Sequence, residues 1–419
     1  RMEQGLPLLE HVLGYEDTVV PHLENAILSG HDMILLGERG QGKTRIIRTL
    51  VSLMDEWLPI VAGSEVQDSP FAPISRYARD RLEEMGDATP ITWVPRRDRY
   101  SEKLATPDTT AAELIGEIDP VKVAEGRYLS DELTIHYGMV PRCNRGLFAI
   151  NELPDLAEKV QVSLFNVLEE RDLQIKGYKI RIPLDILVVA TANPEDYTSR
   201  GRIITPLKDR YSAHIRTHYP KQRAVETAIM EQEARQFDRG RRRVILPGFM
   251  KDIVAELTFK ARQSADVNQV SGVSVRMSIN NLESLISNAE KRAIRQGETE
   301  IVPRLSDLVA LEATTDGKLE LEYGGQDDVE QNVIHNLIDA AVLTVFQERL
   351  DAKELDLLVN SFKEGCWVEV SDALPSAAYL KTLSTLKGIQ PGIERLSIGE
   401  SPGEMASAIE FILEGLHLS

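Results

Sequence analysis

Short runs of consecutive apolar residues alternate with helical periodicity through the first half of the chain. The runs are DMILLG (32–37), GLFAINE (146–152) and DILVVATAN (185–193). Continuous apolar stretches of this length are typical of strands that are buried on both faces. KTRIIRTLVSLM (43–54) and LAEKVQVSLFNVLEERD (156–172) instead space their apolar residues as amphipathic helices do. The alternation predicts an α/β domain with a mostly parallel sheet that carries helices on both faces.

The pattern changes near Pro220. From 221 to 315 the apolar residues recur at helical spacing, which predicts an all-α domain. From 316 to 419 helical segments are interrupted by turn signals and prolines, which predicts a mainly helical extension. The expected division is therefore an α/β domain at 1–220, a helical domain at 221–315 and a C-terminal extension at 316–419.

Composition narrows the class of protein. Hydrophobic residues make up 42% and charged residues 27% of the 419 residues, as in soluble globular proteins. No apolar run approaches the ~20 residues that a membrane span needs, so we expect no membrane association. Two cysteines, Cys143 and Cys366, are too few for a disulfide framework and favour a reducing, cytoplasmic location.

The charge balance indicates which class of macromolecule the chain binds. The formal net charge is −18, and residues 321–419 hold 17 acidic against 6 basic side chains. Non-specific nucleic-acid binding depends on surplus Lys and Arg, so this balance argues against a nucleic-acid partner. An acidic C-terminal region is better suited to contact with another protein. A basic cluster at Arg96, Arg97 and Arg99 could still touch phosphate or an acidic partner.

GERGQGKT (37–44) matches the phosphate-loop pattern GxxxxGK[ST]. Glycines let the loop wrap phosphates closely, and the following helix N-terminus offers N–H groups and its positive dipole end. An apolar strand before the loop and an amphipathic helix after it favour ATP binding over a chance glycine-rich turn. The predicted nucleotide contacts are Gly37, Glu38, Arg39, Gly40, Gln41, Gly42, Lys43, Thr44 and Arg45.

Polar residues at the ends of the two later strands complete the candidate chemistry. Glu152 ends GLFAINE, where a phosphate-loop enzyme places the carboxylate that orients water. Asn151 stands before it where an aspartate is expected, so Mg²⁺, held by Thr44 and Asn151, should bind less tightly and turnover should be slow. Asn193 ends DILVVATAN, two residues after Thr191, and can hold the attacking water. The alternatives are a helix cap at Asn151–Glu152 and an ordinary Asn-Pro turn at Asn193.

Taken together, these segments resemble a known family. The matching text is VLGYEDTVVPHLENAI, ILLGERGQGKT, AELIGEIDPVKVAEGRYL, NRGLFAINELPDL, VLEERDLQIKGYKIRIPLDILVVATANPED and PLKDRY. In order and spacing it resembles the AAA+ ATPases of the helix-2-insert clade, specifically the ATPase (I) subunit of magnesium chelatase and the MoxR-type ATPases. The resemblance runs from about residue 11 to 220 and continues more weakly to about 300. It implies a phosphate-loop AAA+ core followed by a helical lid.

The resemblance also implies roles for particular residues. Lys43 and Thr44 would be the phosphate-loop ligands, and Asn151 with Glu152 the Walker B pair. The remaining assignments are the first sensor Asn193, the second sensor Arg276, the arginine finger Arg210 and the adenine-flanking pair Gly14 and Tyr15. Residues 113–145 would form the helix-2 insert, and 172–184 a hairpin before the first sensor.

In this family the arginine finger reaches the neighbouring subunit's site in a ring, normally a hexamer. Arg200 and Arg202 compete with Arg210 for that assignment. Without the resemblance, a surface salt bridge would be the preferred interpretation of Arg210. Whether Arg276 acts within its own subunit or across an interface stays open.

The expected function is that of an ATP-driven ring motor of the magnesium chelatase I/MoxR type. It would remodel a partner protein that carries a von Willebrand A-type domain, or assist cofactor insertion. The first alternative is a true magnesium chelatase subunit in tetrapyrrole synthesis. The second is a scaffold that binds nucleotide without hydrolysing it, an idea kept open by Asn151. A third is a DNA-directed motor or transcription activator, against which stand the charge and the lack of a GAFTGA-like loop.

Overall fold

The computed structural model describes residues 1–125, 131–173, 175, 181–194, 201–235, 242–268, 272–321, 327–383 and 385–419. The chain divides into two compact units, Arg1–His218 and Tyr219–Ser419. Each unit is built around its own hydrophobic core. Within the described residues, no helix has both the length and the apolarity needed to cross a membrane.

The first unit is organised around a parallel sheet. Its strands are β1 (Met33–Leu36), β2 (Trp57–Val61), β3 (Ile91–Pro95), β4 (Tyr100–Leu104), β5 (Gly116–Ile118), β6 (Ile135–Tyr137), β7 (Gly146–Asn151), β8 (Asp172–Leu173), β9 (Ile182–Pro183), β10 (Ile186–Ala192) and β11 (Ala213–Arg216). Five of them form one sheet in the order β11-β1-β10-β7-β4. All four neighbouring pairs in that sheet are parallel.

Helices cover both faces of this sheet. They are α1 (Val19–Leu28), α2 (Lys43–Leu50), α3 (Arg76–Met85), α4 (Ala111–Leu114), α5 (Pro120–Ala124), α6 (Met139–Arg142), α7 (Glu158–Ser163), α8 (Phe165–Leu168) and α9 (Thr205–Arg210). Helices α1 and α2 share a core with Met33, Leu35 and Val189, whereas α7 and α8 share a core with Ile34 and Val188. The alternation along each strand follows from the two-residue period of extended chain. The expected α/β fold with a parallel, doubly covered sheet is confirmed.

One edge strand of the sheet has a largely polar sequence. Edge strand β4 pairs with β7 from Tyr100↔Leu147 to Leu104↔Asn151, yet its sequence YSEKL contains no apolar run. An edge strand is paired on one side only and carries polar side chains, so it lacks the apolar run of a central strand. Beside it, β2 and β3 form an antiparallel ribbon that the sequence pattern also did not indicate.

The two segments predicted as insertions contain small antiparallel ribbons. Within 113–145, β5 pairs with β6, and residues 126–130 lie outside the described residues. Within 172–184, β8 pairs with β9, which forms the base of the expected hairpin. Residues 174 and 176–180, between these two strands, lie outside the described residues.

The second unit is mainly helical. Its helices are α10 (Arg223–Glu233), α11 (Gly248–Gln263), α12 (Val275–Gln296), α13 (Glu312–Thr315), α14 (Asp327–Arg349), α15 (Asp356–Lys363), α16 (Ser376–Leu383), α17 (Gln390–Leu396) and α18 (Pro402–Leu418). A two-stranded parallel ribbon joins β12 (Arg243–Val244) to β13 (Glu300–Ile301). Pro391 and Pro402 lie in the first turns of α17 and α18, where a missing N–H costs nothing.

A single core runs through the whole second unit. Phe249 of α11 stacks on Phe411 of α18 with ring centroids 4.5 Å apart, and Phe346 of α14 packs against the same ring. Residues 316–419 thus share their buried apolar surface with residues 219–315 rather than forming a separate core.

A buried network of charges reinforces this core. The guanidinium of Arg304 is fully buried and lies 3.2 Å from Glu298 Oε1 and 4.0 Å from Glu410 Oε1. Arg292 contacts Asp307 Oδ2 at 3.0 Å and Glu298 Oε2 at 3.1 Å. Burial raises the pKa of Glu410 and lowers that of Arg304. The network joins α12 and the segment after β13 to α18.

Candidate active site at the phosphate loop

The phosphate loop spans the gap between the end of β1 and the start of α2. Gly40 and Gly42 adopt positive φ angles of 76° and 72°, which favour glycine. Gly37 is required for a different reason. A Cβ atom there would lie 1.9 Å from Thr217 Oγ1 and 2.2 Å from Gln41 Oε1. Local backbone conformation and the neighbouring strand β11 therefore both demand glycine in this loop.

Lys43 lies inside the loop and is only 7% exposed. Its ammonium donates to the carbonyl oxygens of Gly37 and, at 2.9 Å, of Glu38. It also donates to Asn193 Oδ1 at 2.6 Å, which bridges 150 positions of sequence. The predicted phosphate-binding cation and the predicted first sensor are thus in direct contact.

Asn193 connects this cation to the predicted water-orienting acid. Its amide nitrogen donates to Glu152 Oε2 at 2.9 Å, while its oxygen accepts from Lys43. The amide thus turns its acceptor to the ammonium and its donor to the carboxylate, as charge complementarity requires. Lys43, Asn193 and Glu152 form a continuous hydrogen-bonded chain at the carboxyl ends of β1, β7 and β10.

Glu152 has an unusual backbone. Its φ of 56° and ψ of 50° place it in the left-handed region, which is uncommon for a residue other than glycine. Strained backbone of this kind concentrates at functional sites, where the surrounding structure holds it in place. Its N–H donates to Thr191 Oγ1 at 3.0 Å. The helix-cap alternative for Glu152 gains no support, since its side chain makes no capping hydrogen bond to the turn that follows.

The predicted magnesium ligands face each other beside this chain. Thr44 Oγ1 and Asn151 Oδ1 are 3.4 Å apart. Asn151 falls on the same sheet face as Leu147 and Ala149, which is the face that α2 covers. Mg²⁺ prefers oxygen ligands and retains several waters, so a hydroxyl and an amide oxygen fit an ion that a nucleotide's phosphates also hold. Neither ligand carries charge.

The predicted adenine-flanking pair also lies against the loop. The Tyr15 hydroxyl is 2.6 Å from the Gln41 carbonyl oxygen and 2.8 Å from that of His218. Its ring meets the His218 ring edge-on at 5.0 Å. Burial raises the pKa of Tyr15 to about 12. Gly14 has a φ of 83° and its N–H donates to Glu16 Oε1, so it turns the chain immediately before Tyr15.

Arg210 lies away from these residues. It ends α9, three residues before β11, whose first residue, Ala213, pairs with Met33 at the start of β1. The phosphate loop follows the other end of β1, so the length of the strand, roughly 13 Å, separates the two edges. The Arg210 guanidinium lies 4.2 Å from the Phe165 ring centroid and pairs with Glu169 Oε2 at 2.5 Å. Its side chain remains 25% exposed.

The other arginine candidates differ in placement. Arg276 belongs to the second unit, in the first turn of α12, which Ser274 caps. Its side chain is exposed. Arg202 is exposed in the segment before α9, and Arg200 lies outside the described residues.

The basic cluster before β4 has a structural explanation for two of its members. Arg99 is 4% exposed and donates to the Arg145 carbonyl at 3.0 Å, and Arg96 donates to the Ser52 carbonyl at 2.8 Å. Arg97 is exposed and contacts Asp98. Arg96 and Arg99 satisfy backbone carbonyls, so the cluster as a whole does not form a phosphate-binding surface.

Sequence reasoning missed Thr217. It follows β11 and its hydroxyl donates to Gln41 Oε1 at 2.7 Å, which ties the loop to the sheet. Its backbone N–H donates to the Leu36 carbonyl at 2.7 Å. The available signal was a polar residue at the carboxyl end of a strand, the position that drew attention to Asn193.

Comparisons with known proteins identify what this chain is similar to. Residues 124–210 match the family model of the Sigma-54 interaction domain. The magnesium-chelatase subunit ChlI of Nostoc sp. is 26% identical over 239 residues, covering 54% of this chain and 58% of that protein. ChlI of Chlorella vulgaris is 26% identical over 252 residues, covering 56% of this chain and 64% of that protein. The chain thus spans less than two thirds of the length of these curated relatives.

Among solved structures, a chain from the complex of subunits BchI and BchD of magnesium chelatase covers 78% of this chain and 98% of its own length. It is 19% identical, with a TM-score of 0.37. The fold class, the family model and the curated relatives lead to one assignment. The chain is an AAA+ protein that resembles the ATPase subunit of magnesium chelatase and the MoxR-type ATPases.

Proposed function

We propose that the chain is an ATP-hydrolysing ring motor that uses nucleotide turnover to remodel a partner protein. The observation that carries this proposal is the hydrogen-bonded chain from Lys43 through Asn193 to Glu152. It brings a phosphate-binding cation, a neutral sensor and a carboxylate to one edge of the sheet. A site that only binds nucleotide does not need the carboxylate or its strained backbone.

Each residue has a defined task in this proposal. The loop N–H groups and Lys43 hold the phosphates, and Glu152 accepts a hydrogen bond from the attacking water and orients it. Asn193 keeps the Glu152 carboxylate directed toward the phosphate side of the site. Phosphoryl transfer depends mainly on positioning and charge stabilisation, so these groups need no covalent chemistry of their own. Mg²⁺, held by Thr44 and Asn151, would neutralise charge on the phosphates.

The position of Arg210 supports a ring. The amino edge of the sheet is too far from the phosphate loop of the same chain for Arg210 to reach it. A finger at this edge is useful only if another protomer presents its nucleotide there. We therefore propose that Arg210 leaves Phe165 and Glu169 on assembly and stabilises the transferring phosphoryl group of a neighbour, normally in a hexamer. Arg276 is proposed as a second sensor, within its own subunit or across the interface.

The remodelled partner is proposed from the family resemblance of the sequence. A MoxR-type chaperone for cofactor insertion or complex assembly, working on a protein with a von Willebrand A-type domain, is the favoured version. The neutral Asn151 and the acidic C-terminal region support it over a true chelatase subunit. In either version this chain would supply energy rather than the metal-insertion site. A cytoplasmic location is proposed with it.

One other function has a specific observation in its favour. The match to the Sigma-54 interaction domain model favours a transcription activator. The matched stretch, 124–210, contains β7 and β10 and the residues Glu152 and Asn193 that directly follow them, which any motor of this fold needs. Salt-sensitive DNA binding by the purified chain would support the activator, and its absence would support the remodelling motor.

Phosphate release tests the motor against the non-hydrolysing scaffold. Purified chain is incubated with ATP and Mg²⁺, and its steady-state rate is compared with that of Glu152→Gln. We expect the variant to lose at least ~100-fold in kcat while it still binds ATP, because a carboxamide cannot accept the water's proton in the same way. Equal rates for the two proteins would eliminate hydrolysis and leave the scaffold.

Mixing two inactive variants tests the ring. Lys43→Ala removes the phosphate-binding cation and Arg210→Ala removes the finger. If Arg210 acts on a neighbour, a one-to-one mixture regains activity, because about one quarter of the interfaces in a mixed ring combine an intact loop with an intact finger. Arg202→Ala is the matched control and should hydrolyse ATP alone. A mixture as inactive as its components would contradict the assignment of Arg210.

A further inference from the structure

The backbone hydrogen-bond ladder between the two central strands stops just short of the site. The β7–β10 pairing ends at Ile150↔Ala190. Beyond that pair the chain enters Asn151 and then the left-handed residue Glu152. Glu152 lies two residues beyond the last pair, so its N–H is outside that ladder. The Glu152 N–H is partly buried, and an N–H that is shielded from water without an acceptor costs up to about 1–3 kcal/mol, so the turn favours an acceptor from elsewhere.

Thr191 supplies that acceptor. It is 1% exposed and belongs to β10, one residue past the last pair. Its Oγ1 accepts from the Glu152 N–H at 3.0 Å. The same hydroxyl faces Asn151 Oδ1 at 3.5 Å, a long contact that orients its hydrogen toward the amide oxygen. One hydroxyl can accept and donate at once, so both contacts use it without conflict.

We infer that Thr191 is a positioning residue for ATP hydrolysis, which holds Glu152 in its left-handed conformation and so sets the direction of its carboxylate. This inference rests on the proposed function for the task of Glu152. The side chain of Glu152 then meets Asn193 at 2.9 Å. Thr191 fixes the backbone of the acid and Asn193 fixes its carboxylate, and neither contact substitutes for the other.

Two substitutions separate the hydroxyl from the volume of Thr191. Thr191→Val keeps the β-branched shape but removes the acceptor, and Thr191→Ser keeps the hydroxyl with less bulk. Thr134→Val is the matched control, since Thr134 is also buried but its hydroxyl donates to the Asp131 carbonyl at 2.6 Å, away from the loop. If Thr191 had only a structural role, the effects would follow the loss of side-chain volume in Thr191→Ser, or they would appear equally when a buried hydroxyl is removed elsewhere, as in Thr134→Val.

Two measurements test the inference. Residue-resolved hydrogen exchange follows the Glu152 amide, and steady-state phosphate release gives kcat and KM. We expect Thr191→Val to speed exchange at the Glu152 amide at least ~10-fold and to lower kcat at least ~10-fold, with KM within about threefold. Thr191→Ser should stay near wild type in both. Thr134→Val should leave the Glu152 amide protected.

The two measurements also distinguish failure of the proposed motor function from failure of the proposed role of Thr191. If wild type releases no more phosphate than Glu152→Gln, the motor fails, whereas exchange still decides whether Thr191 holds the turn. Unchanged exchange at Glu152 in Thr191→Val overturns the inference. If exchange rises but an active enzyme keeps its kcat, the inference is also overturned, because the turn would then not govern hydrolysis.

Discussion

Each unit of the chain contains a cluster of charged side chains, and the described contacts of the two clusters differ. In the first unit the described hydrogen bonds of Lys43 go to carbonyl and amide oxygens, and the nearby acid Glu152 has a strained backbone. In the second unit Arg292 and Arg304 lie directly against the carboxylates of Glu298, Asp307 and Glu410, with ordinary helical or extended backbone around them.

The difference follows from what each cluster has to do. Direct pairing of buried charges fixes one arrangement, since separating the pairs leaves charges without compensation. A site for a polyanion needs its cation held by groups that can give it up when phosphate arrives. The described contacts of Lys43 therefore suit a cation that exchanges protein oxygens for phosphate oxygens. The carboxylate pairs of Arg292 and Arg304 suit ion pairs that persist. Substitutions should affect stability in one cluster and activity in the other.

The largest expected effect is on stability, at Arg304. Arg304→Met leaves Glu298 and Glu410 without that guanidinium, and breaking a buried pair in this way costs about 3–5 kcal/mol. Urea denaturation should show the loss as a lower midpoint. The matched control is Arg395→Met, which removes an exposed pair with Glu354 and should cost less than about 1 kcal/mol. Similar losses for both variants would mean that the network is not what holds the second unit together.

Lys43→Met should weaken nucleotide binding and leave stability nearly unchanged, the opposite of what we expect for Arg304→Met. In Lys43→Met we expect ATP affinity to fall by ~100-fold or more, because the loop loses the charge that meets the phosphates. The free energy of unfolding should change by less than about 1 kcal/mol, since a desolvated ammonium is replaced by an apolar chain of similar length. Nucleotide titration and denaturation of the same protein check both parts. A stability loss as large as that of Arg304→Met would erase the distinction between the clusters.

The substitution Asn151→Asp tests the first cluster further, because it adds a negative charge there. Asn151→Asp places a carboxylate 3.4 Å from the Thr44 hydroxyl, if the side chain keeps its position. We expect the Mg²⁺ concentration for half-maximal phosphate release to fall about tenfold, because a charged oxygen ligand binds the ion more tightly. An unchanged Mg²⁺ requirement would show that Asn151 does not face the ion.

The last prediction concerns the pH dependence of stability outside the physiological range. Tyr15 has a pKa raised from 10.0 to about 12 by burial, so the unfolded chain loses this proton at a lower pH than the folded chain. The folded state then binds more protons between about pH 10 and 12, and stability falls as pH rises through that window, by up to about 1.4 kcal/mol per unit. Tyr15→Phe should lack this component. Parallel pH profiles of unfolding for wild type and variant would contradict the burial of the hydroxyl.

The sequence by itself determined what depends on neighbours along the chain. The strand, the glycine-rich loop and the helix at 32–54 follow from apolar periodicity and from glycine's backbone freedom, and both are local properties. The two-residue period of β7 and β10 likewise fixed which of their side chains share a face. The mainly helical character of residues 221–419 was visible for the same reason.

Tertiary structure alone decided what depends on contacts between distant segments. Edge strand β4 exists because it pairs with β7, and its polar sequence carries no sign of that pairing. Thr217 reaches Gln41 across 176 positions, and residues 316–419 share the core of the helices before them. Hydrogen bonds and packing across such separations are energetically favourable only once the chain has folded, so no local pattern records them.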